Sequence, residues 1–537
     1  MSATSAIPGL TFVAVPKPPQ PPPLRSDVAG FIGRTRRGPV GEAVRVEGWR
    51  EYISQFGGLA ADAVTSYALH GYFANGGEVA HVVRLASAPL AKASAIWIVG
   101  DPPPQGKNWP GRGGFQVLGY RVESTSPGQW ANDTVVRFRY YADGPDNRPA
   151  VEITVQAAGE PTETICGIDP AKIEWQVKTQ SNLIRLHALP LPAGLTAANL
   201  QTPSAPDGPR YLEWLPLTLT GGQSGVASSA EYQQGITTVG DEPEIALVAV
   251  PDLFSDFPCD SNDLSGERIN AKRVEILAAL LAQAETLHDR MVIIDIPPES
   301  ADPRLAIDWL TKLYQQADEV TLRAGAVYHP RLMITDPLGG SVTPTRIVPS
   351  SGHVAGVISK TDRDRGAHYT PANVLLVDLV DLDLHLDDNQ QALLYQNRIN
   401  LLRCAPGRGL QVWGGRTLSA NPDWVFVAHR RLIQHLVRAI RRVAEPLVFE
   451  TNGPELWLTL VRAITSMLLE VYRRGGLKGD RPEDGFRVRC DQTNNPPEQQ
   501  ELGQVLCEVA LAPAVPMEFM VLRVALSAQG VLEVFES

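Results

Sequence analysis

Cysteine is scarce in this chain: Cys166, Cys259, Cys404, Cys490 and Cys507 are spread over 537 residues. Their odd number and the lack of any C-x-x-C pair signal neither a disulfide framework nor a zinc site. A reducing cytoplasm is the simplest place of synthesis. Excess positive charge is also missing. Forty-eight Lys and Arg against 59 Asp and Glu leave a formal net charge of -11, which argues against nucleic acid as the main partner, because phosphate binding needs a basic surface. No uncharged apolar run approaches the roughly 18–20 residues that span a bilayer, so direct membrane insertion is not expected. The opening MSATSAIPGLTFVAVPKPPQ has no basic region followed by an apolar run and does not read as a secretion signal. Local enzyme signatures are absent too: no G-x-x-x-x-G-K-[ST], no strand-linked G-x-G-x-x-G, no H-E-x-x-H and no G-x-S-x-G. The sequence therefore assigns no catalytic residue, no cofactor and no metal.

What is present is the composition of a soluble globular protein, 44% hydrophobic and 20% charged, with length for about three domains. A β-prone run, Leu10 to Val15, precedes Pro16 to Pro23, where six of eight residues are proline. Such a run favours an extended polyproline-II form, so the first residues read as a tethered arm or, alternatively, as a frayed terminus. From Asp27 the pattern becomes strand, helix, helix, strand: VAGFIG, then Trp49, Tyr52, Ile53 and Phe56 at helical spacing, then Ala63 to Asn75, then EVAHVVRLA. Alternating runs such as VVRFRYY and VEITV between Ser87 and Gly240 read as a β-rich insertion with little helix.

Apolar strands alternating with helices return in IALVAVPD, Lys272 to Leu287, RMVIIDIP, Leu305 to Gln316 and AVYHPRLMITDP, which predicts a buried, mostly parallel sheet. Near the carboxy terminus one helix carries Leu432, Ile433, Leu436, Val437, Ile440 and Val443 on one face. Arg430, Arg431, Arg438, Arg441 and Arg442 lie on the other, read by default as solvated and otherwise as a site for an acidic partner. A second helix, Pro454 to Arg474, has its stripe at Leu456, Leu460, Ile464, Met467, Leu468 and Val471. FRVRCD, VLCEVALAP and MEFMVLRVALS read as strands.

Two clusters and a lone histidine carry titratable groups. Asp378, Asp381, Asp383, Asp387 and Asp388 with His385 could be drawn as a metal site, but alternation with leucine favours a strand edge followed by a helix cap. TDRDRGAHYTPAN holds Asp362, Arg363, Asp364, Arg365 and His368. Alternating opposite charges there suit a salt-bridged contact between subunits better than a catalytic loop. His353, placed before an expected strand, reads as a structural histidine.

Several long segments carry a resemblance. PGLTFVAV, DVAGFIGRTRRGPVGEAVRVEGWREYISQFGG and YALHGYFANGGEVAHVVRLA resemble the amino-terminal block of contractile tail sheath proteins of phage tails, tailocins and injection systems. PSSGHVAGVISKTDRDRGAHYTPAN, NRINLLRCAPGRGLQVWGGRTLSANPDWVFVAHRRLIQHL, FRVRCDQTNN and VLCEVALAPAVPMEFMVLRV resemble its carboxy-terminal block, so that about half the chain is covered, in the family's order.

The resemblance implies an α/β fold: a sheath-type core of mixed sheet and flanking helices built from both chain ends, a β-rich inserted domain, and extended terminal arms. The expected division is 1–26 arm and proline-rich linker, 27–86 core, 87–240 inserted outer domain, 241–350 α/β middle domain, 351–515 core, and 516–537 arm. It further implies a structural subunit that stacks as hexameric rings around an inner tube, meets baseplate and terminator or cap proteins, and contracts. The arm strands would be Leu10, Thr11, Phe12, Val13 and Val15 at one end and Phe519, Val521, Leu522, Val524 and Leu526 at the other, each completing a neighbour's sheet. Candidate interface charges are Arg363, Asp364, Arg365, Arg438, Arg441 and Arg442. The product would be made in the cytoplasm and built into a particle that is released or membrane-attached. Two rival readings stand beside it: a tail-end cap or adaptor on the same core, and an enzyme using the β-rich insertion for substrate and the TDRDRG segment as its site. The proline run departs from the family pattern and at about 3.1 Å per residue would hold roughly 25 Å between arm and core.

Overall fold

The computed structural model describes residues 25–99, 118–141, 150–169, 172–189, 211–213, 216–255, 266–340, 342, 344–448, 450–514, 520–526 and 532–536. Its centre is a nine-stranded sheet in the order Val374–Leu375, Gly409–Trp413, Ile399–Ala405, Gly325–His329, Met291–Ile294, Leu247–Ala249, Ala29–Gly33, Val79–Arg84, Ala43–Glu47. The six inner strands run parallel, and the rims are antiparallel. Five of the six inner strands are buried along their whole length, which is why apolar residues run through them without alternation. The expected mixed α/β core is what the chain forms. The segment 241–350, read as a middle domain of its own, supplies the three central strands of this one sheet.

The two-residue period of a strand divides the core into two layers. Val248, Val292, Ile294 and Val327 face the helices Ser229–Gly240, Gly266–Leu287 and Pro303–Gln316. Leu247, Ala249, Ile293, Ala326 and Tyr328 face Trp49–Phe56, Val64–Ala74 and Ser351–Asp364. The helix Ser229–Gly240, which the sequence reading left inside the insertion, thus belongs to the main core through Tyr232, Ile236 and Val239.

Two helix starts that carry no side-chain cap of their own are served by aspartates at the ends of neighbouring strands. Asp252 accepts from Val64 N (2.8 Å), Thr65 N (3.2 Å), Thr65 Oγ1 (2.6 Å) and Arg34 N (2.7 Å). Asp295 accepts from Ser351 N at 2.9 Å. Burial raises the Asp295 carboxyl to about 6 against the hydrogen bonds from Ser350 and Ser351. Free N–H groups and the dipole at a helix start favour an acceptor there.

Three local expectations are corrected. PSSGHVAGV is not the approach to a strand: His353 lies in the helix Ser351–Asp364. Small residues decide this, since a Cβ at Gly352 or Gly356 would overlap the backbone at Ala68 or Tyr72 on the facing helix. The first half of TDRDRG is accordingly helical, and the chain turns only after Asp364. AVYHPRLMITDP is two strands, Gly325–His329 in the main sheet and Leu332–Thr335 in a separate three-stranded sheet, because Pro330 cannot continue the ladder.

Among the described residues between 87 and 225 lie ten strands and one α-helix, Ile173–Gln180. They are built around Trp97, Phe138, Ile153, Val155 and Leu186, with the Trp97 and Phe138 rings stacked 3.6 Å apart. This matches the expected β-rich insertion.

The contact between Val64–Ala74 and Ser351–Asp364 is tight enough to test. A methyl at Gly71 would enter the buried imidazole of His353. Gly71→Ala should cost about 1–3 kcal/mol in chemical unfolding, and most of that penalty should vanish in a His353→Ala background. An equal penalty in both backgrounds would exclude this packing account.

Candidate functional site

The helix Val427–Ala444 joins Ser26, the main sheet and the carboxy-terminal sheet. Its apolar residues Leu432, Ile433, Leu436, Val437 and Ile440 pack on Trp457, Leu460, Ile464, Leu468 and Val471 of the helix Pro454–Arg473 and on Cys507, Val509 and Leu511. Most of its arginine face is not solvated, which corrects the default reading: Arg430, Arg431 and Arg438 are 1%, 2% and 7% exposed, while Arg441 and Arg442 are half-buried. That face lies across the starts of the parallel strands and the end of the helix Gly266–Leu287, where it meets backbone carbonyl groups.

Arg431 Nη1 donates to Ala246 O (2.6 Å), Arg438 Nη2 to Glu244 O (2.7 Å), Arg441 Nη2 to Leu287 O (2.5 Å) and Gln434 Nε2 to Arg290 O (2.6 Å). Arg290, itself fully buried, continues the pattern to Val239 O (2.6 Å) and Glu242 O (3.1 Å). Guanidinium groups suit the task because they offer several donors in a fixed plane.

Buried carboxylates balance these charges. Glu285 accepts from Arg430 Nη2 at 2.8 Å and from Arg323 Nη2 at 2.5 Å, with His288 Nδ1 3.2 Å away. Burial alone would raise its carboxyl, but His288, Arg323 and Arg430 outweigh it and hold Glu285 at about 2. Asp289 receives Arg290 Nε at 2.8 Å and Arg441 Nη1 at 2.9 Å. Asp362 pairs with Arg431. Burial depresses the Arg438 guanidinium to about 10, so it remains charged at neutral pH.

Sequence reasoning missed Glu285 and Asp289. The available signal was a carboxylate at position 285 on the same helical stripe as Leu277 and Leu281, at four-residue spacing.

The amino-terminal segment from Arg25 meets the same helix. Ser26 O accepts from Arg431 Nη2 at 2.5 Å, and Ser26 Oγ meets His435 Nδ1 at 2.8 Å. A cavity of about 370 Å³ lies here, lined among others by Arg25, Asp27, Glu78, Arg363, His368 and Arg474. Arg363 reaches Glu78 at 3.1 Å, Asp27 at 3.7 Å and Gly76 O at 2.9 Å. Asp364 lies 3.7 Å from Arg363, Arg365 is exposed over the Tyr369 ring, and Arg442 is half-buried. Of the six candidate interface charges, Arg363, Asp364 and Arg365 are therefore grouped beside the amino-terminal exit. Arg438 and Arg441 are engaged within the chain.

The remaining strands form a four-stranded antiparallel sheet, Phe486–Arg489, Val505–Leu511, Met520–Leu526, Leu532–Glu536. The carboxy-terminal arm segment, with Val521, Leu522, Val524 and Leu526, is a strand as expected. In the single chain it pairs with Val505–Leu511, from Val505↔Leu526 to Leu511↔Met520. Leu10, Thr11, Phe12, Val13, Val15 and Phe519 lie outside the described residues. In the aspartate cluster, Asp387 caps the helix Asp388–Gln396 with a reciprocal bond to Gln390, as the sequence suggested. Asp381 meets His385 at 3.2 Å and Asp383 pairs with Arg331. Among the described residues no group of three metal-ligating side chains converges, and no helix is long and apolar enough to cross a membrane.

Comparison with known proteins gives a consistent picture. Residues 312–418 match the model of the phage tail sheath protein central domain. The tail sheath protein of Enterobacteria phage T4 is 25% identical over 192 residues, 34% of this chain and 28% of that protein. A putative prophage major tail sheath protein of Pseudomonas aeruginosa (strain UCBPP-PA14) is 26% identical over 215 residues, 38% of this chain and 54% of that protein. The aligned stretches thus span from about a quarter to about half of those relatives' length.

Among solved structures, a sheath tail protein from Desulfitobacterium hafniense superposes with a TM-score of 0.60 at 12% identity, covering 96% of this chain and 100% of that one. A chain of the anti-feeding prophage baseplate gives 0.54 at 19%, covering 96% and 98%, and one of its helical sheath in the contracted state gives 0.53 at 18%, with the same coverage. At these identities the likeness is one of fold.

The Glu285 cluster makes a pH prediction. Its carboxyl falls from 4.5 to about 2 on folding, so its stabilisation is complete above the unfolded value and is lost as pH drops from about 4.5 towards 2. The difference corresponds to about 3 kcal/mol. Glu285→Gln should lower stability at pH 7 by about 3–5 kcal/mol, since it strands buried guanidinium groups, and should flatten the acid limb of the stability curve. Parallel curves for the two proteins below pH 4.5 would contradict this.

Proposed function

We propose that this member of the contractile tail sheath family is a structural sheath subunit that works through its two chain ends. In this reading it polymerises as stacked hexameric rings around an inner tube, and neighbouring subunits are linked by exchanged terminal strands. The lattice shortens to drive the tube forward. The observation that carries the proposal is the arginine helix: it fixes both the amino-terminal exit at Ser26 and the sheet bearing the carboxy-terminal strand to one rigid parallel sheet.

A tether of that kind transmits force from the arms to the core. The ladder between Met520–Leu526 and Val505–Leu511 is made of main-chain bonds, so an equivalent strand of a neighbour can replace it without a change of side-chain chemistry. Baseplate and cap proteins are the further partners in this reading, with the particle as the site of action. The work comes from interfaces between copies and draws on no bound nucleotide.

Purified full-length chain should form rings or long hollow tubes in negative stain, alone or with its tube partner. Deleting residues 1–15 should leave a soluble core that melts like the full chain yet cannot build an extended lattice. Normal tubes from the truncated chain would remove the arm model, and a small discrete oligomer from the intact chain would favour an enzyme. A single ring's worth of copies per particle would favour a cap.

Replacing Arg365 and Arg442 by Ala should leave monomer stability within about 0.5 kcal/mol while slowing tube growth or contraction. Unchanged assembly and contraction would dismiss these charges as partners between subunits.

A further inference from the structure

We propose that Cys490 and Cys507 form an oxidisable dithiol site, which takes a low-molecular-weight disulfide as co-substrate and closes into a cross-strand disulfide within the carboxy-terminal sheet. The register places them together: Phe486–Arg489 pairs with Val505–Leu511 from Phe486↔Leu511 to Arg489↔Glu508, so the next opposed residues are Cys490 and Cys507. Ala512 N donates to Gly485 O at 2.8 Å, which makes that pair a hydrogen-bonded one. Alternation along the ladder then makes 490 and 507 a non-hydrogen-bonded pair, with Cα atoms about 4.5 Å apart and side chains on the same face. That spacing lies within the range a disulfide bridges.

The two thiols differ in surroundings. Both are buried in the same apolar cluster. Cys490 also lines a cleft of about 510 Å³ with Trp457, Leu458, Val461 and Arg489, whereas Cys507 does not. Asn495, held by Leu506 through bonds of 2.9 and 2.6 Å, directs Nδ2 at Cys490 Sγ from 3.7 Å. Hydrogen bonding from Cys507 and then from Asn495 favours the Cys490 thiolate, and the same pairing pushes the Cys507 thiol up. No third metal-ligating side chain joins them among the described residues, which points to redox chemistry and not to a metal.

The order of steps follows. The Cys490 thiolate attacks one sulfur of the small disulfide from the cleft, forming a mixed disulfide and releasing one small thiol. Cys507 Sγ then attacks Cys490 Sγ, and the second small thiol leaves with the proton that Cys507 gives up. The protein dithiol is oxidised and the small disulfide is reduced to two thiols. The new bond ties the edge strand to Val505–Leu511, directly across from which Cys507 pairs with Val524 of the carboxy-terminal strand. The inference stands on this local geometry and is independent of the sheath reading.

Full-length protein is incubated with oxidised glutathione under native conditions, quenched in acid, alkylated and mapped by mass spectrometry. The expected product is a linked pair of peptides containing Cys490 and Cys507. Cys507→Ser should instead retain glutathione on Cys490, and Cys490→Ser should leave Cys507 unmodified. Should either variant fail to fold, the map of the unaltered chain decides. Glutathione on the exposed Cys166 and Cys404, with 490 and 507 still free thiols, would overturn the proposal, as would an adduct that forms first on Cys507.

Discussion

A helix whose arginines serve carbonyl groups at the start of a parallel sheet is the contact on which the other layers depend. Parallel strands leave such groups at both ends of the sheet. At one end Asp252 and Asp295 meet helix starts. At the other, Arg431, Gln434, Arg438 and Arg441 cover backbone oxygens from Ala246, Arg290, Glu244 and Leu287. Each cation is offset by a nearby carboxylate or a carbonyl cluster, so burial of many guanidinium groups is tolerated where a lone one would be costly.

The arrangement makes one helix the shared wall of two cores. Its leucines and isoleucines complete the carboxy-terminal layer, and its arginines complete the sheet. Ser26 is bound to the same helix through Arg431 and His435. Movement of either terminus is therefore felt at one place, close to the charges of Arg363 and Asp364.

Much of the fold was legible because burial on both faces leaves a strong pattern. The runs around Phe31, Val82, Val248 and Ile293 could only be inner strands, and the stripe from Leu456 to Val471 could only be a packed helix. The capping role of Asp387 was legible as well, since its partner Gln390 is three residues away. The helical state of His353 was not, because it depends on Gly352 and Gly356 meeting a helix almost three hundred residues earlier. Nor was the burial of Arg430 and Arg438: an arginine stripe looks the same whether water or strand carbonyls receive it.

Local order is what the sequence by itself determined here: the inner strands, the amphipathic helices, the β-rich insertion, and a strand near the carboxy terminus. Periodicity and turn chemistry act between residues a few positions apart, and a single chain displays them in full. The tertiary structure alone decided which polar groups meet. Glu285 with Arg323 and Arg430, Asp252 with Thr65, and Cys490 with Cys507 are brought together by the closing of the sheet and its flanking layers. Such pairings depend on distance in space, which no spacing along the chain encodes.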